Sequence, residues 1–257
     1  LALESFGRFN PGSFDEQRMD QPFAHTMKKT ISLLLTAAVL TTTATLNAAD
    51  KAPNTLSTAE KAAGWKSLFD GKSTSEFRNY KKDAVSDGWK VVDGAIVWTK
   101  KGAGDLITKK KFGSFELTLE YNISEGGNSG IMFHVTEEGK RPYHSGPEIQ
   151  VQDNAKGRDP ELSGWLYEFY PAKVDATKPA GQWNHVRILM TPGKSVHWMN
   201  GTYYCDYVKG SKDWQKKLAA SKFAKWELFG KADSGHICLQ DHGNVVKFRN
   251  LKIREVK

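Results

Sequence analysis

The chain has 257 residues, a formal net charge of +8, 26% charged and 39% hydrophobic positions, and two cysteines. Two cysteines alone give no metal-site spacing. The lysines are spread along the chain, so the positive balance reads as a solvated surface rather than a nucleic-acid footprint, although an acidic polysaccharide is also compatible with it.

Residues 1–26 carry no hydrophobic periodicity and read as an over-extended start or a disordered extension. Met27-Lys28-Lys29, the apolar run Ile31–Leu40 and the small residues ending Leu46-Asn47-Ala48-Ala49 then make a secretory signal over 27–49. The apolar run is too short to span a bilayer, and no Cys follows it to carry a lipid. Segment 1–49 pairs Arg8, Arg18, Lys28 and Lys29 with Glu4, Asp15, Glu16 and Asp20, so the exported part keeps the full +8. The expectation is one domain over 50–257, secreted or periplasmic, with no membrane contact after cleavage and no nucleic-acid partner.

From Asp50 to about Lys61 the chain reads as a tether or short helix. Period-2 signals then dominate. Strands are predicted at Trp89–Val92, Ala95–Thr99, Phe115–Ile123, Ser129–Val135, Glu148–Asp153, Trp183–Met190, Ser195–Met199, His236–Gln240 and Val245–Val256. Turn chemistry separates them at Asp93-Gly94, Gly126-Gly127-Asn128, Pro192-Gly193 and Asn200-Gly201. The last strand changes parity between Val246/Phe248 and Leu251/Ile253, which calls for a β-bulge near Arg249-Asn250. One helix is predicted from Trp214 to about Trp226, started by Ser211 or Asp213. The fold class is all-β: a jelly-roll sandwich of two antiparallel sheets with one inserted helix. Cys205 and Cys238 both fall in strand-like segments. An oxidising compartment would permit a bridge between them without requiring one.

Strand parity assigns the polar residues to faces. Ile131, Phe133 and Val135 should point inward, leaving Gly130, Met132 and His134 outside. Ile149 and Val151 should be inside, with Glu148, Gln150 and Gln152 outside. His236, Cys238, Gln240 and His242 share the outer phase of their strand, as His185 and Arg187 do of theirs. Amides, imidazoles and a carboxylate in register on three separate strands suit directional hydrogen bonding to sugar hydroxyls. Each histidine alone reads more readily as a structural group than as a ligand contact. Trp165 and Tyr167 could stack on a pyranose ring or belong to the core. There is no phosphate loop, no Gly-x-Ser-x-Gly elbow and no HEXXH pattern. No cofactor is indicated by any motif, and a divalent cation remains compatible with the sequence.

The segments GWKSLFDGKS (64–73), GDLITKKKFGSFELTLEY (104–121), GGNSGIMFHV (126–135), GPEIQVQDN (146–154), KPAGQWNHVRI (178–188), MNG (199–201) and GHICLQDHGNVVKFRNLKI (235–253) resemble the 3-keto-disaccharide hydrolase-like domain family. The resemblance implies a concanavalin A or laminin-G-like jelly roll and cleavage of glycosides already oxidised at C3. It places the family's polar signature on Glu148, Gln150, Asp153, Gln240 and His242. His134 departs from the pattern, in which Arg is frequent. A 3-keto group acidifies the C2 hydrogen, so elimination followed by hydration needs a base, an acid for the leaving oxygen and donors for the enolate. On that reading Glu148 or His242 is the base and His134 or Asp153 assists the leaving group. Gln150, Gln240, Tyr167, Trp165 and Arg187 hold the oligosaccharide or 3-keto-glycoside. Two rivals remain: a retaining β-glucanase-like glycosidase using Glu148 and Asp153, and a non-catalytic carbohydrate-binding module.

Overall fold

A computed structural model describes residues 52–256; the leader read at 27–49 and the segment before it lie outside the described residues. Ser57 caps the first element, α1 (Thr58–Ala62), through a capping box with Glu60. There follow β1 (Lys66–Ser67), β2 (Phe77–Asn79), β3 (Trp89–Val92), β4 (Ala95–Trp98), β5 (Leu106–Thr108), β6 (Phe115–Ile123), β7 (Asn128–Val135) and β8 (Glu148–Gln152). Then come β9 (Asn184–Met190), β10 (Ser195–Met199), β11 (Thr202–Tyr207), α2 (Lys212–Ala220), β12 (His236–Leu239) and β13 (Val246–Glu255). One antiparallel sheet runs β11-β10-β9-β6-β13-β4-β3, with β1 also on β13, and a five-stranded sheet runs β2-β5-β12-β7-β8. This is the jelly-roll sandwich that the alternation predicts. Among the described residues no helix is long and apolar enough to cross a membrane.

The larger sheet follows simple alternation. Phe115, Leu117, Leu119, Tyr121 and Ile123 of β6 are buried, and Val186, Ile188 and Met190 of β9 meet them in the core. The polar side of β6 is less wet than expected: Arg187 and Arg254 both cover Glu116, leaving it buried. The five-stranded sheet differs, because every residue of β8 and β12 is buried. Its inner side holds Ile131, Phe133, Ile149, Val151, Ile237 and Leu239. On its other side Ile107, Met132, Val135 and Cys238 form a second cluster, against which Tyr80 packs. That face is therefore roofed by loops, and polar side chains on it sit in a recess rather than on open surface.

Three departures from alternation matter. In β13 the register with β6 shifts between Arg249 and Lys252, so the expected bulge is present and both Phe248 and Leu251 reach the core. Asn250 adopts a positive φ of 54° there, and its side-chain oxygen accepts from the Asn54 N–H at 2.5 Å. Asn54 answers by accepting the Asn250 N–H at 2.8 Å. Asn250→Ala should lose this pairing and strain the backbone, costing about 2 kcal/mol, with turnover unchanged. Asn250→Gly, which tolerates the conformation, should cost less. Urea unfolding of the two variants checks the order.

In β7 two residues, Phe133 and His134, oppose the single Ile237 of β12. This second bulge sends Val135 to the outer cluster instead of the core that strict alternation assigns it. The inserted helix ends at Ala220, earlier than predicted. Ser221 turns extended and its hydroxyl accepts from the Phe223 N–H, starting a separate 3₁₀ turn at Lys222–Lys225. Short strands at 66–67, 77–79 and 106–108, and β11 with its own bulge against β10, carry too little alternation to be read from sequence. Cys205 lies on β11 and Cys238 on β12; both are free, buried thiols.

Candidate active site

The recess on the outer side of the five-stranded sheet begins with a missing side chain. Gly130 of β7 stands opposite Gln150 of β8, two pairs from Met132 opposite Glu148 and on the same face. Glu148 folds its side chain over Gly130, so that a methyl group there would lie 2.0 Å from Glu148 Oε1. The next strand supplies Gln240 just beyond β12, held by its N–H to the Gly130 carbonyl at 2.9 Å and by its carbonyl accepting Ser129 Oγ at 2.8 Å. Three strands thus bring Glu148, Gln150 and Gln240 to one pocket of about 310 Å³, within the range of small-ligand sites.

The far wall is an extra sheet edge. Gln150 N–H donates to the Trp165 carbonyl, and Tyr167 N–H to the Glu148 carbonyl at 2.9 Å, so segment 164–167 runs alongside β8. That pairing puts the Tyr167 ring beside Glu148, with its hydroxyl donating to Asp159 Oδ2 at 2.7 Å. Tyr143, from the loop between β7 and β8, and Lys222 and Phe223, from the inserted turn, complete the enclosure. At the mouth stand His242 and Asn128, shared with a wider trough of about 770 Å³ that Arg158 and Asn244 help to line. Asp241 fixes the turn carrying His242. Its carboxylate accepts from Trp98 Nε1 at 2.6 Å, Gly104 N–H at 2.7 Å and Gly243 N–H at 3.0 Å.

Electrostatically the floor is unusual. Burial pushes the Glu148 carboxyl up to about 8, with Asp105 and Asp159 adding to the rise; Lys222 and a hydrogen bond from Gln240 oppose it. Burial also raises Asp105 to about 6, against the opposing hydrogen bond from the Asp241 N–H at 2.9 Å. Glu148 is only 8% exposed. Beside it Gln150 Nε2 and Gln240 Oε1 are buried without a protein partner. Orphaned buried amide atoms are costly, and their convergence on one pocket marks a place where a polar ligand completes the set. Among the described residues no group of three or more His, Cys, Asp or Glu side chains is arranged to hold a metal ion.

Of the nine residues that the sequence nominates, five line this pocket: Glu148, Gln150, Gln240, His242 and Tyr167. Four are elsewhere. Asp153 lies beyond the end of β8 and caps a turn, accepting from Gly126 N–H at 2.9 Å and Ala155 N–H at 3.1 Å. The β7 bulge turns His134 away: it is 3% exposed, has φ 51°, packs edge-on against Phe115 and Phe133, and donates from Nε2 to the Gly113 carbonyl at 2.9 Å. Trp165 packs against the core. Arg187 belongs to the other sheet, stacked on Trp198 at 4.2 Å and paired with Glu116. Sequence reasoning missed Asn128, Tyr143, Asp159 and Lys222. Asn128 falls in a predicted turn, and the others lie in loops and an insertion whose placement no strand parity defines.

A family model described as the 3-keto-alpha-glucoside-1,2-lyase-like domain matches residues 64–254. A 3-keto-disaccharide hydrolase of Bacteroides thetaiotaomicron is 37% identical over 228 residues, covering 75% of this chain and 79% of that protein. A solved structure from Parabacteroides distasonis, described as a glycosyl hydrolase, is similar with a TM-score of 0.74 and 31% identity, covering 80% of this chain and 100% of that one. A second from the same organism has a TM-score of 0.58 and 25% identity, covering 76% and 84%.

Proposed function

The chain belongs to the 3-keto-alpha-glucoside-1,2-lyase-like domain family and is a carbohydrate-active enzyme, and from that premise we propose that it cleaves 3-keto-glycosides by elimination and hydration in the Glu148 pocket. The observation that carries the reading is the convergence of a buried, raised carboxyl with two unpaired amide atoms, Gln150 Nε2 and Gln240 Oε1. A base whose proton affinity lies near the working pH is well matched to abstracting a carbon acid's proton. Glu148 takes the proton from C2, and the electron pair of that bond passes to the C3 carbonyl as an enolate. Collapse of the enolate forms the C1–C2 double bond and breaks the bond from C1 to the leaving oxygen. His242, at the mouth, protonates that oxygen. Water then returns hydroxyl to C1 and hydrogen to C2, so the net change is hydrolysis. Gln150 and Gln240 hold the ring's hydroxyls, and Tyr167 flanks it.

Asp153 is not part of this scheme, because backbone N–H groups already occupy its carboxylate. The same fact counts against a retaining glycosidase, which needs two carboxyl groups roughly 5 Å apart across the bond. The leader at 27–49 supports action outside the cytoplasm. Incubation with 3-ketosucrose, 3-ketotrehalose and their unoxidised parents should release monosaccharide from the keto forms alone, and deuterium should enter C2 in heavy water. Cleavage of the unoxidised parents at an equal rate would overturn the mechanism. His242→Ala should slow release on the order of 10²-fold, less so for a substrate whose leaving group needs no protonation.

A further inference from the structure

Elimination places negative charge on O3 before the leaving group departs, and a positioned ammonium, like a preorganised N–H donor, stabilises charge that develops in such a water-excluded site. Among the described residues lining the Glu148 pocket, Lys222 is the one lysine or arginine. We infer that Lys222 is a further catalytic group, its ammonium stabilising the enolate oxygen of the bound keto-sugar; the inference rests on the elimination reading above.

The lysine comes from neither sheet, and the structure holds it in place from both ends. Its backbone N–H donates to Glu168 Oε2 at 2.8 Å, while its Nζ lies 3.3 Å from Glu168 Oε1. Glu168 reaches it from a left-handed conformation, φ 63°, which a residue with a Cβ adopts only when its surroundings enforce it. The stem crosses the Tyr167 ring with Nζ 4.0 Å from the ring centre, a favourable seat for a cation. The next residue, Phe223, is buried and stacks on Phe229 at 4.2 Å, which anchors the turn in the core. The lysine side chain still keeps 49% of its surface open, so a ligand can reach the ammonium. Its charge is already felt across the pocket, where it favours the ionised form of Glu148 against Asp105 and Asp159.

Steady-state kinetics of Lys222→Met, Lys222→Arg and Glu168→Gln on a 3-keto-glucoside, across pH 5.5 to 9.5, test this. Lys222→Met should lower kcat on the order of 30-fold, leave KM within about threefold, and move the rising limb of the pH profile to higher pH, because the cation that favours the Glu148 carboxylate is gone. Lys222→Arg should recover much of kcat and restore the limb. Glu168→Gln, which keeps the ammonium but removes the carboxylate that holds it, should fall between. A merely structural lysine would leave the limb in place. Unchanged kcat in Lys222→Met, or a loss in which the limb does not move, overturns the inference while leaving the elimination reading intact. A wild-type enzyme that fails to act on any keto-glycoside overturns the elimination reading and this inference with it.

Discussion

Glu148→Gln should abolish turnover of a 3-keto-glucoside by about 10³-fold and, at the same time, make the protein more stable. Both effects have one origin. Burial holds the Glu148 carboxyl near 8 against an ordinary value of 4.5. Between those two values the folded chain binds one proton more than the unfolded chain, so stability falls as pH rises. The carboxyl is harmless to the fold below its unfolded value and most costly above its folded one. An amide carries no such charge and can keep the hydrogen bond with Gln240. Near pH 8 the variant should therefore gain on the order of 2–4 kcal/mol, or roughly 5–10 °C in melting temperature. Near pH 4.5 the two proteins should melt together. Thermal denaturation at the two pH values, with turnover on the same preparations, checks the pair of effects. A variant that is inactive but no more stable at pH 8 would show that the carboxyl is not desolvated. A stabilised but active variant would remove Glu148 from the chemistry.

The trade between stability and activity explains what could and could not be read from the chain. Alternation reports which residues a sheet buries, and it placed Glu148, Gln150 and Gln240 on one face because β8 and the strand before Gln240 keep their period. It failed where the period breaks. His134 and Val135 lie at and just beyond a bulge whose signal is one extra residue opposite Ile237, and no local composition marks it. Asp153 is nominated by the family signature and not by alternation, which points it away from Glu148; it lies one residue past the end of β8. Arg187 was assigned correctly to an outer face, but of the other sheet. Period-2 reasoning does not say which sheet a strand joins. Lys222 was invisible for a different reason: a lysine in a lysine-rich insertion looks like solvated surface until the turn is docked by Phe223. The family motifs recovered the overall fold and the floor of the pocket, whereas its wall depends on loops that only tertiary packing positions.

Gly130→Ala tests the geometry of that floor with a single carbon. Gly130 is not needed for a positive φ, so the backbone accepts alanine. The new methyl group would lie 2.0 Å from Glu148 Oε1 and 2.7 Å from its Cδ. Both atoms belong to the outer part of a rotatable side chain, so the carboxyl is displaced and the strand is not. The expected result is a folded protein with turnover reduced on the order of 10²-fold, since a misplaced catalytic group costs about that much. Moved from its recess, the carboxyl also regains solvent. Its proton affinity should then return toward the ordinary carboxylate range, and the loss of stability between pH 5 and 8 should flatten as it does in Glu148→Gln. In a Glu148→Gln background the same substitution should lower residual activity little further, because the two changes remove one interaction rather than two. Kinetics and pH-dependent melting of the single and double variants measure this. Additive losses would mean that Gly130 serves the substrate directly, by letting the sugar approach the backbone, rather than by making room for Glu148.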